Sequence, residues 1–344
     1  MDRSINLNTN REKKKNDLDD KVFITGKNIQ GIERLGKGTY GSVYKVQRKD
    51  TKEILAIKKI KLDVDTEGIP STTLREVSIL KKLKHPNVVK LFDIAMSDSK
   101  VELSLEYLPM DLRKFIDCYK DNAKVYNPKT IKTLIFQILR GTDYIHSKKI
   151  FHRDLKPQNI LVCDRTLSCK LADFGLSRVF SIPIRPYTKE VLTLWYRAPE
   201  LMLGLSQYGV GLDMWSIGCI FAEMFLKVPL IKGDSEVDQI FKNFQIFGTP
   251  SDEVLPGFRF FPDYNKEFPQ WKGCGLFKYM VDRTNIEIDS KAFDLLQKML
   301  AIDPCKRISA KEALTHVSLF NFRTTLVILH LITKKSIDYL YYKN

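Results

Sequence analysis

The chain has 344 residues, a net charge of +15, and 44% hydrophobic against 28% charged residues. This is the composition of a folded globular protein long enough for two lobes. No run reaches the ~18–20 apolar residues that span a bilayer, and residues 1–20 lack the apolar core of a signal peptide.

The positive charge is dispersed. Residues 1–27 carry seven Lys/Arg and five Asp/Glu, and residues 321–344 carry four and one, so about +10 is spread over the middle. A basic helix interleaved with aromatics and a zinc-finger spacing are both missing from the sequence, so neither nucleic acid nor a membrane is an expected partner. The six cysteines (118, 163, 169, 219, 274 and 305) make no CxxC pair and no Cys/His ligand spacing. They read as reduced thiols of a cytosolic or nuclear protein.

In chain order, residues 1–27, with Lys13-Lys14-Lys15, are expected to form a flexible extension. From Ile29 to about Leu105 short alternating apolar runs predict strands, as in Ser42–Val46 and Ile54–Ile57. One helix interrupts them, Ser71 to about Leu83, with Leu74, Val77, Leu80 and Leu83 expected on one face. From Asp111 onward helical periodicity dominates, as in Ile131–Leu139. The pattern predicts an α+β, two-lobed fold: a small β-rich N-lobe with one helix over 28–107 and a larger helical C-lobe over 108–320. The hinge is placed near Glu106–Asp111, and residues 321–344 form a tail with no assigned structure.

The chemistry begins at Gly36-Lys37-Gly38-Thr39-Tyr40-Gly41-Ser42-Val43. A GxGxxG also opens dinucleotide-binding folds when a helix follows, but here a β-branched and aromatic run follows, which favours a strand-turn-strand lid over phosphates. Small residues let backbone amides approach phosphate oxygens. Lys58, at the end of the apolar 54–57 run, suits a strand-borne cation, whereas Lys59 and Lys61 read as exposed strand lysines. Glu76 has two readings. Thr73-Leu74-Arg75-Glu76 has the form of a capping box, and Glu76 is also suited to pair with Lys58. The densest signal is His152-Arg153-Asp154-Leu155-Lys156-Pro157-Gln158-Asn159 followed by Asp173-Phe174-Gly175. It sets a base, cations and oxygen ligands between apolar runs, on a loop braced by short strands.

With these segments the chain resembles the eukaryotic protein kinases, and within them the cell-cycle cyclin-dependent kinases. Glu67–Glu76 looks like the PSTAIRE helix of that family. Trp195–Glu200, Asp213–Cys219 and Gly233–Gln239 fit the same pattern, and the resemblance covers roughly residues 29–320. It implies the kinase fold and Mg-ATP as the phosphate donor. ATP would be held by Leu35, Gly36, Lys37, Gly38, Thr39, Tyr40, Gly41, Ser42 and Val43 of the lid. Ala56, Lys58, the backbone of Glu106 and Leu108, Asp111, Lys156, Gln158, Asn159, Leu161 and Asp173 would complete that set. Leu105 stands where the family often has Phe. Asn159 and Asp173 would hold the metal, and Asp154 would receive the substrate hydroxyl proton. Lys58, Glu76, Lys156, Asn159 and Thr193 would complete the catalytic set.

The same resemblance implies control. Thr188 matches an activating phosphorylation site whose phosphate would be received by Arg75, Arg153 and Arg178, while Thr39 and Tyr40 match inhibitory sites. A cyclin would dock on the Ser71–Leu83 helix and the activation segment, and a small regulatory subunit at Asp234–Gln239. Substrates would be Ser/Thr-Pro sites of proteins in cell-cycle progression. Glu200 and Arg307 match a buried ion pair. The chain departs from the family at Thr73-Leu74, at Leu192 and after His316. Two other readings are a mitogen-activated-type kinase and an idle cyclin-binding scaffold. The first lacks its Thr-x-Tyr pair before Trp195, and the second would be expected to have lost Lys58, Asp154 or Asp173.

Overall fold

The computed structural model describes residues 29–38, 41–61, 71–97, 100–179, 194–205 and 209–319. It divides into a small unit ending at Lys82 that also takes in Val89–Tyr107, and a large unit of Leu83–Val88 and the described residues from Leu108 on.

The small unit is an antiparallel sheet of β1 (Ile29–Gly38), β2 (Gly41–Arg48), β3 (Ile54–Lys61), β4 (Leu91–Ser97) and β5 (Lys100–Glu106), in the order β1-β2-β3-β5-β4. Register pairs Val43 with Lys58, Lys58 with Leu103, and Ala56 with Leu105. Because strand side chains alternate, these five residues share one face. Helix α1 (Ser71–Lys82) covers it, with Val77 packed against Ile60, Val101 and Leu103. The other face carries the cluster of Tyr44, Val46, Leu55 and Ile57.

Two sequence expectations are corrected here. The buried stripe of the α1 segment runs through Thr73, Glu76, Ile79, Leu80 and Leu83, while Leu74 is 52% exposed. One residue is about 100° of helix, so a stripe through 73, 76, 80 and 83 turns Leu74 outward. The apolar pattern misled because a carboxylate occupies the core face. Lys59, in turn, is not a free surface lysine. Its Nζ lies 3.7 Å from buried Glu102 and 5.3 Å above the Tyr44 ring, and burial pulls its pKa down.

Gly41, where β2 begins, has a steric cause. A Cβ there would lie 1.9 Å from the Lys59 carbonyl oxygen, so only glycine lets β2 and β3 close at that end.

The large unit is built on helices α2 (Leu112–Tyr119), α3 (Pro128–Ser147), α4 (Pro199–Met202), α5 (Gly211–Leu226), α6 (Glu236–Phe247), α7 (Leu276–Val281), α8 (Ser290–Met299) and α9 (Ala310–Thr315). Helix α5 is its axis: every residue from Gly211 to Leu226 is buried. A helix apolar all round must lie inside, and its polar members Asp213, Ser216 and Glu223 each find partners there. Short strands frame the site: β6 (Met110–Asp111), β8 (Ile160–Cys163) and β9 (Ser168–Leu171) form one sheet, and β7 (Ile150–Phe151) pairs with β10 (Arg178–Val179). All six cysteines are free thiols. Among the described residues no helix is long and apolar enough to cross a membrane.

Glu200 and Arg307 lock α4 to the rest of this unit. The guanidinium meets both carboxylate oxygens at 2.6 and 2.7 Å and spends its remaining N–H groups on the carbonyls of Ala301, Gly211 and Ile302. It also lies 4.9 Å from the Trp215 ring centre. Removing one partner would strand a buried charge, at about 3–5 kcal/mol. Arg307→Ala is therefore expected to lower the stability of the large unit by that amount, read as a drop in thermal midpoint by calorimetry. An unchanged midpoint would contradict this account.

Candidate active site

In the small unit the site residue is Lys58. Strand β3 delivers it to the helix-covered face, where its Nζ lies 2.8 Å from both oxygens of Glu76. The Glu76 side chain is only 4% exposed and that of Lys58 17%. A buried carboxylate needs such a partner. Thr73 lies inside α1, not at its cap, so the capping-box reading of Glu76 is set aside. The ion pair is closed in the single chain, so packing within this unit already supports the inward position of the helix.

The other small-unit positions named from the sequence fall on the same strands. Gly36 pairs with Val43 and Gly38 with Gly41 across the β1–β2 hairpin, where Leu35 is half-buried. Lys37 and Ser42 face each other in that register, and Ala56 lies two residues before Lys58 on the same face. The Glu106 N–H donates to the Lys90 carbonyl at 2.9 Å. Thr39, Tyr40, Thr188 and Thr193 lie outside the described residues, as do residues 1–27 and 321–344 and the side chains of Lys37, Arg75 and Arg178.

In the large unit, the loop after β7 gathers the chemistry. Asp154 Oδ2 accepts from Lys156 Nζ at 2.8 Å and from Asn159 Nδ2 at 2.9 Å, and Asn159 Nδ2 also donates to the Asp154 carbonyl at 2.7 Å. One carboxylate oxygen is thus pinned, and among the described residues Oδ1 has no hydrogen-bond partner. A base held this way presents one oxygen in a defined direction. Both hydrogen bonds of the Asn159 amide leave from Nδ2, so its Oδ1 remains an oxygen donor. Exposed Asp173 follows β9, whose end is tied to the loop by the Ala172 N–H to the Asn159 carbonyl at 2.9 Å. A carboxylate and an amide oxygen form the hard donor set that Mg²⁺ takes when substrate phosphates and water complete its shell. Among the described residues there is no cluster of three or more His, Cys, Asp or Glu that would hold an ion without phosphates.

Gln158 is exposed on the turn after Lys156, and Leu108 is buried. Asp111 and Leu161 are cross-strand partners of β6 and β8. Asp111 also caps α2, its Oδ1 accepting from the Lys114 N–H at 2.8 Å, a role the sequence reading did not give it.

What the sequence reading missed is the support beneath this loop. Asp213, buried on α5, accepts the His152 N–H at 2.9 Å, the Arg153 N–H at 2.8 Å and His146 Nε2 at 2.8 Å. Arg153 has φ 71° and Asp173 φ 63°, left-handed conformations that cost an ordinary side chain about 1–3 kcal/mol each. The Asp213 bond is what holds Arg153 there. His152 carries the constraint across: its Nε2 meets the Ala172 carbonyl at 2.9 Å and its ring packs 4.9 Å from Phe174. Ser177 Oγ donates to the His152 carbonyl at 3.3 Å. The signal was present as an acid near the start of an apolar helix, but its partners lie some sixty residues upstream.

A strand-borne lysine paired to a helix carboxylate, and a loop offering one open carboxylate oxygen beside two hard oxygen donors, define the parts of a phosphoryl-transfer enzyme. The family model of the protein kinase domain matches residues 29–319, and the chain belongs to that family. It is accordingly a phosphotransferase of the protein kinase type, and such domains use ATP, typically with Mg²⁺.

Burial alone raises the pKa of Asp213, but hydrogen bonding and charge from His146, the charge of His152 and the Arg153 amide together hold it below the ordinary 3.8. A depressed folded pKa means stabilisation that is present above pH 3.8 and lost as pH falls through the folded value. Asp213→Asn is expected to cut kcat by roughly tenfold or more while leaving the KM for ATP nearly unchanged, and to flatten the acid limb of stability. Thermal unfolding between about pH 2 and 5 checks the second point; an acid limb as steep as wild type would refute it.

Proposed function

We propose that the chain is a cyclin-dependent serine/threonine kinase that transfers the ATP γ-phosphate to Ser/Thr-Pro sites and acts in cell-cycle progression. The observation that carries this reading is α1 itself. Its inner side holds Glu76 against Lys58, while Leu74 stands exposed on its outer side within the segment that resembles the PSTAIRE helix. Large apolar side chains on a helix surface, at a position that also sets a catalytic ion pair, suit control by a docked partner. Phe92 and Met96 on edge strand β4 are exposed in the same unit.

In the proposed reaction Asp154 Oδ1 receives the proton of the substrate hydroxyl as its oxygen attacks the γ-phosphorus and the bond to the β-phosphate oxygen breaks. Lys156, held at 2.8 Å by Asp154, supplies positive charge beside the transferring group. Lys58 serves the α- and β-phosphates. Mg²⁺, when bound through Asn159 and Asp173, neutralises phosphate charge. Little covalent work falls to the protein, so positioning and electrostatics carry the acceleration.

Control is proposed at three places. Phosphate on Thr188 would be received by Arg75, Arg153 and Arg178, and phosphate on Thr39 or Tyr40 would oppose the charge of ATP. A small regulatory subunit is proposed at Asp234–Gln239. Residence in nucleus and cytoplasm belongs to the same reading.

Asp154→Asn is expected to lower turnover by about 10²–10⁴-fold, the range of general-base catalysis, with ATP binding retained by calorimetry. Undiminished turnover would sink the mechanism. The chain alone should phosphorylate a Ser-Pro peptide weakly, and a cyclin with phosphate on Thr188 should raise the rate by orders of magnitude. Full activity of monomeric Thr188→Ala would remove the regulatory part.

A further inference from the structure

A cleft of about 460 Å³ opens in the large unit between the segment before α6, the second half of α6, and α7. Its size suits a peptide side chain or two, within the ~300–1,000 Å³ of built ligand sites. The floor is apolar, with Leu230, Ile231 and Ile246 all buried. The rim is basic, with Lys232, Lys278 and Arg283 opposed by the single acid Asp282. Lys242 belongs to the wall, for it pairs with Asp238 at 2.8 Å and donates to the Lys232 carbonyl at 2.6 Å.

The walls are set before any ligand arrives. The Cys274 and Gly275 N–H groups donate to the Gln245 and Ile246 carbonyls at 2.9 and 3.0 Å, joining the approach to α7 to α6. Arg283 lies 4.0 Å over the Tyr279 ring, and the Tyr279 hydroxyl donates to the Leu230 carbonyl at 3.3 Å. Lys232 sits 5.1 Å over Trp195, whose Nε1 donates to the Gly233 carbonyl at 3.0 Å. One rim cation thus also rests on an aromatic ring of the Trp195–Glu200 segment. Cations held on aromatic faces around an apolar floor complement carboxylates flanking an apolar side chain.

From this charge complementarity over an apolar floor we infer that the cleft docks an acidic segment of a protein substrate, an apolar side chain on Leu230, Ile231 and Ile246 and its carboxylates on Lys232, Lys278 and Arg283. The inference rests on the kinase reading above for the word substrate, but not for the binding.

The test uses the full chain and a short fluorescein-labelled Glu/Leu peptide without Ser, Thr or Tyr, so that docking is read without catalysis. Anisotropy should show salt-sensitive binding, weakened roughly tenfold or more by K278E/R283E. At a peptide concentration ten times its Kd, alkylation of exposed Cys274 on the cleft wall should slow by about tenfold. Exposed Cys118 and Cys305 should react at unchanged rates. No binding, binding that K278E/R283E leaves intact, or binding without protection of Cys274 would each overturn the site. Self-association of the chain abolished by K278E/R283E would assign the cleft to a second copy instead. In a second arm, a Ser-Pro peptide carrying the same acidic segment should show a KM several-fold below that of the bare acceptor, at equal kcat, in wild type only. Equal KM values would overturn the substrate assignment, whereas failure to phosphorylate either peptide would count against the proposed function and leave the binding result standing.

Discussion

One buried carboxylate supports most of the chemistry in the large unit. Asp213 sits on a helix with no solvent-facing side, and it is ionised there because two loop amides and His146 supply the hydrogen bonds that water would otherwise give. Those same bonds hold Arg153 in a conformation it would not adopt alone, and so set the direction in which the chain leaves towards Asp154. His152 transmits the constraint to Ala172 and Phe174, which places Asp173. A helix that could be buried simply because it is apolar thus carries, at one position, the anchor for a loop about sixty residues earlier in the chain.

The small unit solves a related problem with opposite means. There the buried carboxylate, Glu76, is neutralised by a lysine from a strand, and the pair costs desolvation that only good geometry offsets. Such a pair is poised: it persists only while α1 packs on the sheet face that bears Val43, Ala56 and Lys58. The Glu200–Arg307 pair of the large unit is the contrasting case, with all guanidinium N–H groups satisfied. Similar chemistry therefore holds a helix on a sheet in one unit and ties a short helix into a helical frame in the other.

The divergences between sequence and structure arise where polar residues find partners. Apolar spacing sets Leu74 on one face with Val77, Leu80 and Leu83, yet the buried face of α1 carries Thr73 and Glu76 and leaves Leu74 outside. Lys59 reads from the sequence as an exposed strand lysine, yet the register of β3 against β5 sets it opposite Glu102. Asp111, which the resemblance gives to a nucleotide, also caps α2 through the local Lys114 N–H. For Glu76 and Lys59 the polar residue is placed by a partner distant in sequence, Lys58 and Glu102, which periodicity does not report.

What the sequence determined by itself was the local and the ordered: strands first and helices after, a glycine-rich hairpin, a loop dense in charge between apolar runs, and motifs whose order along the chain identifies the family. These follow from side-chain period, turn chemistry and spacing, all properties of neighbours. Only the tertiary structure decided which oxygen of Asp154 is open, that Lys58 and Glu76 already meet, that Asp213 underlies the loop, and that three cations ring an apolar cleft beside Trp195. The Asp154 geometry comes from the turn that its near neighbours Lys156 and Asn159 adopt, whereas the other meetings join groups from 18 to about sixty residues apart, and burial, by removing water, is what makes them strong enough to matter.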